Sequence, residues 1–383
     1  MKTRFSSKSR IAFTAGVLAS ALALGGCSMF GGSSAPKPVE LGANVPVISV
    51  SQVWKTNIGK VQSIVLEPRV IGDTVIVASD AGEVVSFNAG TGAATWRVNL
   101  GTPLSAGVGS DGRWSSVVSK RNELIAIEGG RELWRKQLPI QVFTAPLVAG
   151  NRIFVLAADR SVYAYDAATG QRIWVQQRPG EALVLRQQGV LMAMDNTLVT
   201  GLAGRLVGFN PDDGSIRWEA PLASPRGTND VERLVEIAGR TSRIGGSLCA
   251  RAFQTSVGCI DMDRGAVAWT QTAAGSEGVD GDENAVYGVE SNGTVLAWRR
   301  ADGVKMWSSD RLRYRHLTAP LVLGRSVVIG ESTGDVHMLS RENAAPLNRL
   351  STDKSGIAAA PVAAAGTLVV VTRDGGIFGF RPQ

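Results

Sequence analysis

Short apolar runs alternate with turn residues along most of the chain. Thr74-Val75-Ile76-Val77-Ala78 is followed by Asp80-Ala81-Gly82, then by Val84-Val85-Ser86-Phe87, then by Thr91-Gly92. Alternation at period two, broken by Gly and Asp, predicts antiparallel strands joined by hairpins. The same order returns as Ala145-Pro146-Leu147-Val148, Arg152-Ile153-Phe154-Val155, Ser161-Val162-Tyr163-Ala164-Tyr165 and Thr169-Gly170, ahead of Trp174. Each unit thus supplies four short strands, the content of one propeller blade.

Tryptophan marks the period. Trp54, Trp96, Trp134, Trp174, Trp218, Trp269 and Trp307 lie 42, 38, 40, 44, 51 and 38 residues apart. The last six each follow a glycine by four places, from Gly92 and Gly130 through Gly170, Gly214 and Gly265 to Gly303. A repeat near forty residues means stacked supersecondary units. The regular phase assigns these rings to packing between blades rather than to ligand stacking.

The seventh unit is degenerate, with Leu350 expected in the tryptophan place and Pro346 in the glycine place. After it come three strand-like runs, around Val362, Leu368-Val371 and Ile377-Phe380, and the chain ends one strand short. The run from Val47 to Trp54 has a tryptophan and no preceding blade. Pairing it with the last three strands closes the ring and removes two open sheet edges. The expected fold is all-β: residues 46–383 form an eight-bladed β-propeller of four-stranded antiparallel blades, closed by the N-terminal strand.

The N-terminus is built differently. Lys2, Arg4, Lys8 and Arg10 precede an apolar run from Ile11 to Ala23 that is too short for a stable span, the pattern of a signal peptide. Leu24-Gly25-Gly26-Cys27 follows and resembles the lipobox of bacterial lipoproteins. That resemblance implies cleavage of residues 1–26 and lipidation of Cys27, and Ser28, in place of the aspartate of inner-membrane retention, implies export to the outer membrane. Residues 27–45, rich in Gly, Ser, Pro and Ala, are expected to form a flexible tether.

Charge adds little. The signal holds four of the 40 Lys plus Arg, which leaves 36 against 33 Asp plus Glu. Cations scattered among acids do not make the basic stripe that nucleic acid requires. Cys249 and Cys259 lie in adjacent strand-like runs. A hairpin register that sets them opposite each other permits a disulfide, whereas a slip of one residue leaves two buried thiols.

The unit of strand, turn, strand and Gly-x-x-x-Trp resembles the quinoprotein-type propeller repeat over nearly all of residues 46–383. Joined to a lipobox, eight such units are similar to the BamB family of barrel-assembly lipoproteins. Leu183-Val184-Leu185-Arg186 looks like that family's Leu-x-Leu-Arg loop. The resemblance implies that Leu183, Leu185 and Arg186 dock on the periplasmic POTRA domains of the central barrel subunit. Glu236 matches the first place of the family's acid-x-acid stretch, and Ala238 leaves the second empty. Nascent outer-membrane proteins are further possible partners. Without the family, Leu183 and Leu185 fit the inward face of an inner strand equally well.

No catalytic constellation stands out. Only His316 and His337 are present as histidines, and neither a Gly-x-Ser-x-Gly, a His-Glu-x-x-His nor a phosphate loop occurs. The acid pairs Asp212-Asp213 and Asp261/Asp263 fall in hairpin turns, where Asp caps its own backbone. Arg311-Leu312-Arg313-Tyr314-Arg315-His316 reads as a solvated strand face. Quinoprotein dehydrogenases share the repeat, but their vicinal Cys-Cys pair is missing here. The reading is a scaffold lipoprotein of the barrel-assembly machinery, not an enzyme, with no cofactor or metal, lipid-anchored at the periplasmic face of the outer membrane. The alternatives are a quinoprotein-like dehydrogenase and a periplasmic peptide- or strand-binding module.

Overall fold

Eight sheets follow one another around a ring in a computed structural model that describes residues 36–177, 184–224 and 234–383. Residues Val39–Gln383 form one compact unit. Blade 1 runs through the strands Arg69–Ile71, Thr74–Ala78, Glu83–Asn88 and Ala94–Asn99, and later blades repeat this meander. The two middle strands of a blade are the most apolar, and Thr74–Ala78 and Glu83–Asn88 are buried along nearly their whole length. Sheets packed face to face leave no wet side there, so those strands lack strict alternation.

The ring closes through its termini. Val50–Asn57 pairs antiparallel with Gly376–Pro382, from Val50 opposite Pro382 to Asn57 opposite Gly376. The last blade therefore takes its outer strand from the beginning of the chain, and the expected eight-bladed closure holds.

The tryptophan phase has a mechanical cause. In each blade the outer strand pair carries a bulge, and in the seven with a tryptophan the extra residue directly precedes it. The bulge turns the ring onto the next blade. There it covers the glycine of the following hairpin turn, at a positive φ that glycine tolerates. At Gly170, with φ +70°, a β-carbon would lie 2.8 Å from the Trp134 ring. In Trp54, Trp134, Trp174, Trp269 and Trp307 the indole N–H also donates to a carbonyl of that turn: Trp54 to Ala89 at 2.9 Å, Trp174 to Pro211 at 2.9 Å, Trp269 to Arg300 at 2.7 Å. Each unit's glycine thus serves the tryptophan of the unit before it.

Blade 7 corrects the sequence phase. Its register places Asn348 opposite Met338, with Leu347 as the extra residue, so Asn348 and not Leu350 occupies the tryptophan place. Ala344, with φ +58°, holds the glycine place rather than Pro346. Blade 8 explains the exchange. Its last two strands come from opposite chain ends, so they share no hairpin turn on which an indole could rest. Asn348 donates instead to the Ile48 carbonyl at 3.0 Å and accepts from the Asn44 amide at 3.1 Å. Val39 N–H donates to Arg313 O at 3.2 Å, Val47 N–H to Leu347 O at 2.7 Å, and Leu41 packs against the cluster between blades 6 and 7. Asn348→Ala should release residues 42–48, seen as faster amide exchange at Val47 than in the parent protein; unchanged exchange there would refute this account of the seam.

Two more features depart from the simple blade. Blade 2 gains a fifth strand, Val65–Leu66, which pairs parallel to Leu104–Ser110 at the ring axis. The Arg311–His316 segment is a turn and not a strand: Arg313 N–H closes on Asp310 O at 3.2 Å, and Tyr314 and His316 take positive φ. Its Arg315 is spent internally, 3.1 Å from Glu331, a fully buried acid that accepts from the Thr333 hydroxyl and has His337 Nε2 3.3 Å away.

In blade 5, Cys249 and Cys259 stand opposite each other on neighbouring strands, both buried, and are joined as a disulfide. Denatured protein purified from the periplasm should show no free thiol at these positions. Two reactive thiols would contradict the bridge.

Candidate functional site

Antiparallel order sends the connectors between blades and the second hairpin of each blade to the same face of the ring. The sequence-predicted docking residues gather there, where blades 3, 4 and 5 meet. Cys27 and Leu183 lie outside the described residues. Leu185 is half-buried and Arg186 exposed, on the connector that leads into the inner strand Leu191–Met194. Leu185 lines a small cleft with Phe143, Leu156, Arg160 and Glu236. The structure therefore brings Leu185 and Glu236 together although they are 51 residues apart in the chain.

Glu236 does not stand free. Arg160, at the tip of a blade 3 hairpin with φ +67°, reaches it at 2.9 Å, and both side chains are largely buried. Burial pushes the Glu236 carboxyl up from its ordinary value, and the hydrogen bond and charge of Arg160 oppose that rise. Removing one partner of such a pair leaves a buried charge uncompensated, so the two form a structural wall beside the exposed arginine.

Arg186 is held from below. Its guanidinium lies over the Phe143 ring, 6.0 Å from the centroid, and donates to Ser63 O at 3.1 Å. Ser63 belongs to the loop that precedes the extra strand of blade 2, and Lys120 donates to its hydroxyl at 2.8 Å. Asp80 anchors this loop: its carboxylate accepts the N–H groups of Gln62 at 3.0 Å, Ser63 at 3.1 Å and Ile64 at 2.8 Å. Burial alone would raise its pKa. The three N–H donors outweigh burial and hold Asp80 below the ordinary carboxylate range.

A depressed folded pKa stabilises above the unfolded value and is lost as pH falls through the folded one. Asp80→Ala should thus cost about 1–3 kcal/mol at neutral pH, the range for stranded hydrogen-bonding groups. The gap between parent and variant should shrink in acid, below the ordinary carboxylate value. Paired denaturant titrations across pH test this, and a gap that grows in acid would refute it.

Phe143, Arg160, Ser63 and Asp80 escaped the sequence reading. Their partners are remote in sequence, and only Asp80 carried a signal, as the Asp of an Asp-x-Gly turn. Among the described residues no three or more His, Cys, Asp or Glu side chains are grouped so as to hold a metal ion.

Against this geometry, similarity to known proteins is extensive. A family described as "Outer membrane protein assembly factor BamB" matches residues 80–309. A protein of that name from Burkholderia pseudomallei is 37% identical over 349 residues, covering 90% of this chain and 92% of its own. The Bordetella pertussis protein of the same name is 33% identical over 365 residues, covering 94% of this chain and 95% of its own. The crystal structure of BamB from Moraxella catarrhalis superposes with a TM-score of 0.79 at 21% identity, over 87% of this chain and all of that one.

Proposed function

The chain belongs to the BamB family of outer-membrane protein assembly factors, and on that premise we propose that it acts as a non-catalytic scaffold docked on the POTRA domains of the central barrel subunit. In this reading residues 1–26 are removed, a lipid on Cys27 holds the protein at the periplasmic face of the outer membrane, and residues 46–383 present the ring. Leu183, Leu185 and Arg186 make the contact, and the held complex aids folding and insertion of nascent outer-membrane proteins.

The observation that carries the docking reading is the state of Arg186. It is exposed, beside a half-buried leucine, and fixed over Phe143 with one carbonyl partner. A guanidinium keeps five N–H donors in a planar fork, so donors remain for a carboxylate on a partner. A pre-positioned arginine next to an apolar side chain is the composition of an interface hot spot. Glu236, already engaged by Arg160, supports the shape of this surface.

Affinity isolation from gently solubilised outer membranes, with partners identified by mass, tests the reading. The central barrel subunit should co-purify in stoichiometric amount. Its absence, or recovery only of periplasmic enzymes, would overturn the proposal.

A further inference from the structure

The axis of the ring holds a cavity that meets the docking surface only at its rim, through Arg186. Its volume is about 430 Å³, within the roughly 300–1,000 Å³ of small-ligand sites. Strand Val65–Leu66 fills the blade 2 side of the axis, and the cavity lies between that insertion and the inner strands of blades 5 and 8.

Three arginines line it. Arg69 donates to Ser110 O at 3.1 Å, Arg240 to Pro361 O at 2.8 Å, and Arg186, at its rim, to Ser63 O at 3.1 Å. Each partner is a main-chain carbonyl, and among the described residues none of the three is ion-paired with a carboxylate. Arg240 sits on a bulge of the blade 5 inner strand at φ +60°, a conformation that costs energy outside glycine and recurs at binding sites. Arg69 and Arg240 are half-buried, and a partly desolvated cation without a contacting counter-charge is costly. Both line the cavity with donors to spare.

Acids stand nearby, and the charges of Asp280 and Glu67 reach Arg240, but among the described residues none forms an ion pair with Arg69 or Arg240. Burial drives both Glu67 and Glu277 toward the protonated form, against the charges of Arg69 and Arg240 on the first and Arg251 on the second. Asp280, which also acts on Arg240, already accepts the N–H groups of Gly281 and Val322, each at 2.8 Å. The opposite wall is apolar, with Ile64, Leu66 and Val362.

We propose that this axial cavity binds a carboxylate carried on an apolar body, gripped by Arg240 and Arg69 and seated against Ile64, Leu66 and Val362. A single negative charge fits the site. Phosphate lacks the apolar body that Ile64, Leu66 and Val362 would cover. The carboxylate belongs either to a free small acid or to the C-terminal end of a chain, and the site's chemistry is the same for both. This inference stands apart from the docking surface, because neither Arg240 nor Arg69 takes part in it.

Calorimetric titration of the mature protein tests it with five probes: N-acetyl-leucine, N-acetyl-leucinamide, a ten-residue peptide ending in leucine with a free or an amidated C-terminus, and inorganic phosphate. The free acids should bind about 10- to 100-fold more tightly than their amides, the factor expected for a charge-assisted contact. Arg240→Met should erase that difference, and Arg69→Met gives the same reading should the first variant melt early. Tighter binding of the peptide acid identifies a chain end, and binding of the small acid alone identifies a metabolite-sized ligand. Equal binding of acid and amide, no binding of either acid, preference for inorganic phosphate, or a folded Arg240→Met that keeps the full preference would overturn the proposal.

Discussion

Trp269→Ala is expected to destabilise the propeller by about 3–5 kcal/mol, the cost of removing a large buried ring. Trp269 is 7% exposed, covers Gly303 of the next blade and donates to Arg300 O. Its loss opens a void between blades 5 and 6 and leaves that carbonyl without its partner. Gly303→Val should harm the same joint from the other side, since its φ of +73° disfavours a branched residue and the added carbons would enter the indole. Leu133→Ala is the control: Leu133 is an exposed bulge residue beside Trp134, and surface changes of this kind stay within about 0.5 kcal/mol. Equilibrium unfolding in urea measures all three. If Trp269→Ala were as stable as Leu133→Ala, the repeated tryptophans would not be the joints of the ring.

Leu185→Asp combined with Arg186→Glu should weaken capture of the barrel subunit on the order of a hundredfold or more. Interface anchors of this kind are each worth about 2 kcal/mol or more, and the changes place like charge where a carboxylate is expected. The fold should survive. Arg186 is exposed and, among the described residues, contacts Ser63 and Phe143, and the blade 4 core is left unchanged. Arg186→Glu alone guards against a packing effect at half-buried Leu185. A double variant that melts like the parent and still captures the partner would remove the loop from the interface.

The architecture was legible because its signals are periodic. Each turn glycine receives the ring of the unit before it, and its own unit's tryptophan follows four places later because turn and bulge have a fixed length; the unpaired Val47–Trp54 run had one vacancy to fill. What stayed hidden is aperiodic. The exchange of tryptophan for Asn348 depends on the missing turn of blade 8, so counting along the chain selected Leu350 instead. The extra strand Val65–Leu66 has only two residues, too short for a period. Arg311–His316 alternates like a strand, yet Asp310 closes it into a turn and Glu331 draws Arg315 inward. Leu185 and Arg186 could be named from family resemblance, but their support could not. Phe143, Ser63 and the Arg160–Glu236 pair are joined across blades, by contacts that no local pattern encodes.

The account rests on the chain acting by holding a partner rather than by altering a substrate. Direct titration of the purified mature protein into purified POTRA domains of the barrel subunit tests this most simply. A saturable one-to-one complex that Arg186→Glu weakens is the predicted result. A folded parent protein that gives no complex, yet reduces a dye when supplied with quinone, calcium and an alcohol, would contradict it.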